Sequence, residues 1–150
     1  MEPIFFIIVA FLPAVIAPCF RSGRAGYNAL RKPSWKPPSA IIAPVWIVLN
    51  VLIGISAWLV WFVHGSAAWP ALTLWTVQLL LNSAWAPLFF GAGKLGASVV
   101  LVGALWTTVL CTVLVFAGLV SLAGALLVPY LLWLTLVFVL NVSIWRLNRV

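Results

Sequence analysis

Negative charge is all but absent from this chain. Glu2 is the only carboxylate side chain in 150 residues, so chemistry that needs a pair of carboxylates is excluded on inventory alone. A Ser-His-acid triad loses its acid the same way, and His64, the sole histidine, has no obvious partner. Cysteine is scarce too. Cys19 and Cys111 both lie in apolar stretches, with no zinc-like spacing and no disulfide framework, and read as small apolar residues. No metal site is expected. Charge of either sign makes up only 6% of the residues, against about 25% in soluble domains. A water-facing surface cannot be covered from that stock.

What is present is apolar: 66% of the residues are hydrophobic. The net charge is +7, but the basic residues stand beside long apolar runs. That arrangement favours a bilayer over nucleic acid as the partner. The first run opens Met1-Glu2-Pro3 without a basic leader, and its small-residue cleavage site is poor. A proline directly before Cys19 spoils a lipoprotein signal. The run therefore reads as a retained helix.

A spanning helix needs roughly 20 apolar residues. The sequence predicts an all-α integral membrane bundle, a single domain over 1–150, with five spans: Ile4–Phe20, Ile41–Val63, Trp69–Phe90, Leu95–Phe116 and Leu122–Trp145. His64-Gly65-Ser66 and Gly91-Ala92-Gly93-Lys94 supply the breaks. The basic residues test this count. Arg21, Arg24, Arg31, Lys32 and Lys36 fall in the first connection, Lys94 in the third, Arg146 and Arg149 in the tail. With five spans all of these share one side, which the positive-inside rule makes cytoplasmic. The N-terminus is then outside.

Tryptophan is abundant, at 10 residues. An aromatic belt at the headgroups accounts for Trp69 and Trp145, but not for those that alternate with amides inside the spans. Trp75, Gln78, Asn82, Trp85 and Phe89 share one helical face, Trp46 and Asn50 stand one turn apart, and Tyr130, Trp133, Val137 and Asn141 align. A single amide is as well explained by interhelical hydrogen bonding. As a set, these residues fit an aromatic-walled pocket with a few polar groups, suited to a flat conjugated ligand. Pro87 and Pro129 read as helix-shaping residues. The first connection, with Tyr27, Trp35, Pro33, Pro37 and Pro38, reads as an extended, ordered cap over the mouth of the bundle.

Leu30-Arg31-Lys32-Pro33-Ser34-Trp35-Lys36-Pro37-Pro38 resembles the signature loop of the tryptophan-rich sensory protein, or translocator protein, family. Gln78 through Gly91 is similar to its third-helix motif, and Pro129-Tyr130-Leu131-Leu132-Trp133 with Leu140-Asn141 and Trp145-Arg146 to its fifth helix. The resemblance implies five transmembrane helices, a homodimer, and a cytoplasm-facing pocket for tetrapyrroles such as protoporphyrin IX and haem, as ligands rather than obligatory cofactors. Carried over by motif, the pocket comprises Tyr27 and Trp35 from the cap with Trp46, Asn82, Trp85, Trp133 and Val137 from the helices. Trp46 and Trp133 match the tryptophans implicated in porphyrin photochemistry, and so are the catalytic candidates. Arg31, Lys32 and Lys36 are placed to meet ligand carboxylates. The chain departs from the family at Gly26, where tryptophan is usual, and at Val142, where the animal sterol motif has tyrosine.

Three activities compete on this reading: binding or sensing of tetrapyrroles, their light- and oxygen-dependent breakdown, and transport of porphyrin or sterol. Binding leads, because no acid–base or metal constellation is present and no titratable residue lies deep in a span. The lack of long extensions favours a bacterial inner membrane over a mitochondrial outer one.

Overall fold

The computed structural model describes residues 2–149, and of residues 21–25 the backbone alone. The first apolar run is not the single rod expected of it. It divides into α1 (Pro3–Ala10), α2 (Leu12–Ile16) and a 3-10 segment over Ala17–Gly23. Pro13 and Pro18 account for the segmentation, since each lacks a backbone donor and crowds the preceding turn. The connection that follows is not extended throughout either. It begins as α3 (Arg24–Ala29) and loses helical form only over residues 30–38, where Pro33, Pro37 and Pro38 lie. The side chains of Arg21 and Arg24 lie outside the described residues.

Four long helices follow: α4 (Ser39–His64), α5 (Trp69–Ala86), α6 (Leu95–Leu119) and α7 (Ser121–Leu147). Their bounds fall close to those read from the sequence, save that α5 gives way at Pro87 to a wider π-helical turn over Pro87–Gly91. There the Ala92 amide donates to the Pro87 carbonyl at 2.9 Å. Among the described residues, four stretches are long and apolar enough to cross a membrane: 3–20, 39–91, 95–119 and 121–147. The chain is thus an all-α integral membrane protein. The 53-residue stretch is a hairpin rather than a rod. Gly65 turns the chain with φ 53°, a conformation that side chains resist. The Trp75 indole reaches from the second arm to donate to the Ile53 carbonyl of the first at 3.2 Å.

The helices close a ring. α1 packs on α4, α4 on α7, α7 on α6, α6 on α5, and α5 returns to α2. Two close approaches need glycine: a Cβ on Gly54 would meet the Ile7 backbone at 2.5 Å, and one on Gly124 would meet the Ala117 side chain at 2.5 Å. Large apolar side chains such as Ile8, Phe62 and Val100 face outward, as a lipid solvent permits. The packed core fills only one half of the ring's length. It joins Phe6, Ile53, Val60, Leu72, Leu79, Val109, Phe116 and Leu127. There the Ser56 hydroxyl donates to the Ala123 carbonyl at 2.7 Å. The half nearest the first connection is hollow.

Candidate functional site

A cavity of about 670 Å³ occupies that hollow half. Pro13 and Ala14 of α2 form one side, with Pro18 beyond them. Trp46 and Asn50 of α4, Asn82, Trp85 and Phe89 of the α5 arm, and Trp133, Val137 and Asn141 of α7 complete the wall; Tyr27, Lys36 and Pro37 close the mouth. Among the described residues α6 contributes nothing to the lining.

The walls are aromatic. Trp46 meets Trp133 edge to face, with centroids 6.4 Å apart at 88°, and meets Tyr130 at 6.3 Å. Trp85 stacks on Phe89 at 5.4 Å and 24°. Across the mouth, Tyr27 packs on Phe89 and Phe90 at 5.6 and 5.3 Å. The π-turn after Pro87 delivers both phenylalanines to that position. Burial pushes the Tyr27 phenol above its ordinary pKa, which keeps this contact neutral.

The amides divide into two sets. Asn82 donates to the Tyr130 hydroxyl at 3.2 Å, and that hydroxyl donates to Gln78 Oε1 at 2.9 Å. The Trp85 indole donates to Asn141 Oδ1 at 3.3 Å, and Asn141 Nδ2 to the Val137 carbonyl at 2.8 Å. The stripes read from the sequence are thus split by depth. Trp75, Gln78 and Tyr130 close into the core, while Asn82, Trp85, Trp133, Val137 and Asn141 border the cavity. Trp106, too deep for an aromatic belt, donates to Thr135 Oγ1 at 2.9 Å.

Six of the seven residues expected to form the pocket stand on its wall: Tyr27, Trp46, Asn82, Trp85, Trp133 and Val137. Trp35 does not; it is 46% exposed. Of the three basic residues expected at the mouth, Lys36 lines it, and Arg31 and Lys32 do not. The Lys32 ammonium sits 4.5 Å from the Tyr27 ring centre and donates to the Asn28 and Leu30 carbonyls at 3.3 and 3.1 Å. Such a cation–π contact fastens the cap. Sequence reasoning missed Asn148, whose side chain bonds both the amide and the carbonyl of Arg31 at 2.9 Å. An asparagine just beyond a helix end is a common stop signal, but its distant partner leaves no mark in the sequence.

The model of the TspO/MBR family matches residues 4–146. The chain belongs to the TspO/MBR family. It is 39% identical over 130 residues to the translocator protein of Homo sapiens, covering 85% of this chain and 77% of that one. It is 37% identical over 126 residues to Protein CrtK of Rhodobacter capsulatus, covering 83% and 79%. The tryptophan-rich sensory protein of Cereibacter sphaeroides is 36% identical over 122 residues, covering 81% and 76%. In this TspO/MBR chain, the Trp46, Trp85 and Trp133 side chains all reach one cavity.

Proposed function

We propose that this TspO/MBR protein is a membrane receptor for flat, conjugated, hydrophobic ligands of the tetrapyrrole class, protoporphyrin IX and haem among them. The observation that carries the reading is the 670 Å³ cavity with three indoles on its wall and Lys36 at its mouth. That volume lies within the usual range for small-molecule sites, about 300–1,000 Å³. Indole faces and edges give a conjugated ring large contact at little entropic cost. Trp46 and Trp133 flank the macrocycle, Asn82 and Trp85 border it, and Val137 narrows the α7 side. Lys36 meets a ligand carboxylate. Lys32 acts through Tyr27 by holding the cap, and Trp35 and Arg31 serve the cap's outer face.

In this reading the ring of helices crosses the bilayer five times, α4 and α5 being separate spans. The first connection and the C-terminus face the cytoplasm, and the working unit is a homodimer. The crowding of the cap, the π-turn and the end of α7 at one end of the bundle supports the shared side of the basic residues. Family resemblance supports the dimer.

The test is quenching of tryptophan fluorescence by protoporphyrin IX, in darkness, on detergent-solubilised protein. Saturable quenching at low micromolar ligand, weakened in Trp46→Phe/Trp133→Phe, is expected. Non-saturable quenching equal in both proteins would mean that pigment merely partitions into micelles. A second reading, light-driven breakdown of the bound pigment with oxygen as oxidant, is favoured by the edge contact of Trp46 and Trp133 on the wall. It requires a new absorbing product that forms in light and fails to form in darkness or without oxygen.

A further inference from the structure

Like charges gather where the cap meets the end of α7. Asn148 bonds the Arg31 amide and carbonyl at 2.9 Å each, which sets the Arg31 backbone beside a residue whose next neighbour is Arg149. The Arg149 guanidinium lies 5.0 Å from the Trp145 ring centre. That indole lies in turn against the first turn of α6. Its Nε1 stands 3.2 Å from where a Cβ on Gly96 would be, and Lys94 directly precedes that turn. Arg31, Lys94 and Arg149, from three parts of the chain, thus converge on one tryptophan, and all three are exposed.

No acidic side chain answers them. Glu2, the only carboxylate side chain, precedes α1 at the end remote from the cap. Holding like charges together costs free energy. Here a pair of hydrogen bonds and a cation–π contact hold them, and an anion from outside the chain would offset the cost. None of the three lines the cavity, so that anion is not the cavity's occupant. Their depth indicates what it is. Lys94 stands at the start of one spanning helix, and Arg149 just beyond Leu147, the last residue of another. Hydrocarbon gives way to headgroups at that level, where the amphipathic indole of Trp145 is also at home. Guanidinium groups suit phosphate, to which they present two parallel N–H donors.

We infer that Arg31, Lys94 and Arg149, with Trp145, form a seat for the phosphate of an anionic phospholipid at the cap end of the bundle. The lipid's chains lie along the outward surface of α6 and α7, outside the cavity, so the seat stands apart from the tetrapyrrole reading.

The experiment titrates the detergent-solubilised protein with dimyristoyl phosphatidylglycerol and with dimyristoyl phosphatidylcholine, which share their chains, and reads the first bound lipid by native mass spectrometry. Phosphatidylglycerol is expected to bind at least tenfold tighter. Each surface cation contributes about fivefold to the attraction, so Arg149→Gln should lower that preference about fivefold and Arg31→Gln/Arg149→Gln should bring the two lipids nearly level. Lys36→Gln removes a charge from the same end of the bundle, at the cavity mouth, and should leave the preference in place. An equal fall in Lys36→Gln and Arg149→Gln would mean that net charge rather than this seat draws the lipid, and would overturn the proposal. Equal binding of the two lipids by the natural protein would overturn it as well. Glycerol 3-phosphate is the soluble arm: its displacement of the lipid would make this a site for free phosphate esters and end the lipid assignment. Should the double variant not fold, Lys94→Gln decides, and an undiminished preference there removes the seat.

Discussion

Asn148 clasps the backbone of Arg31. Its Oδ1 accepts from the Arg31 amide and its Nδ2 donates to the Arg31 carbonyl, each at 2.9 Å, while the same Nδ2 donates to the Ile144 carbonyl at 2.8 Å. One side chain thereby ties the cap to the end of α7. The tie fixes the register of the residues that follow Tyr27, and with it the ammonium that Lys32 holds over the Tyr27 ring.

Asn148→Ala should free the cap without unfolding the bundle. Trypsin is the probe: Lys32 and Lys36 each precede proline and resist it, so over residues 26–38 the Arg31–Lys32 bond is the cleavable site, read apart from cuts after Arg21 and Arg24 by fragment mass. Cleavage there should speed up several-fold, and dissociation of protoporphyrin should accelerate with it. Each exposed hydrogen bond contributes about 0.5–1.5 kcal/mol, so an effect of about tenfold is the scale to look for. Unaltered cleavage would show that the cap is held by its aromatic contacts alone.

Lys36 and Arg31 should separate in function. Lys36 lines the mouth and Arg31 does not. Lys36→Gln is expected to weaken binding of a ligand with free carboxylates about threefold and to reduce the salt dependence of binding. Arg31→Gln should leave both unchanged. Ligand esterified at its acids provides the control, since it should not distinguish Lys36→Gln from the natural protein.

Glycine substitutions test the ring. Gly54→Ala drives a methyl into the Ile7 backbone, whereas the space around Gly118 is open to 4 Å. The first change should destabilise by about 1–3 kcal/mol. The second should be neutral or stabilise by up to about 1 kcal/mol, as expected for glycine replaced inside a helix. Thermal unfolding in detergent reads both, and equal melting temperatures for the two variants would contradict the packing of α1 on α4.

Topology is open to labelling. In a Cys19→Ala/Cys111→Ala background, Lys94→Cys should react with a membrane-impermeant thiol reagent only from the cytoplasmic side. Ser66→Cys should react only from the opposite side. Reaction of both from one side would contradict α4 and α5 as separate spans.

The long helices were legible because a spanning helix must be apolar along its whole length, and Gly65 and the Gly91–Gly93 turn punctuate the run. The first helix was read too simply. Pro13 and Pro18 mark its divisions, yet apolar composition alone cannot say whether a proline bends a helix or breaks it. Pro129 remains inside α7, whereas Pro87 begins a π-turn. The cavity wall was legible as stripes of aromatics and amides. The depth at which each stripe passes from cavity into core was not, because Tyr130 and Trp133 carry the same signal one turn apart. Trp35 looked like a pocket residue because the cap's motif contains it. Only the fold shows that Tyr27, one helix earlier, takes the place beside Phe89 and Phe90.

The uneven filling of the ring has a consequence for how such a protein changes over generations. Packing that resists unfolding is concentrated around Phe6, Ile53, Leu79, Val109 and Leu127, at the end remote from the cap. Residues around the hollow end are backed by that anchored end and by their own hydrogen bonds, so exchanging one of them alters what fits inside more than whether the chain folds. A lineage can therefore try new occupants at small risk to the scaffold, with Asn50 and Val137 as positions where a single replacement would redraw the shape of the space.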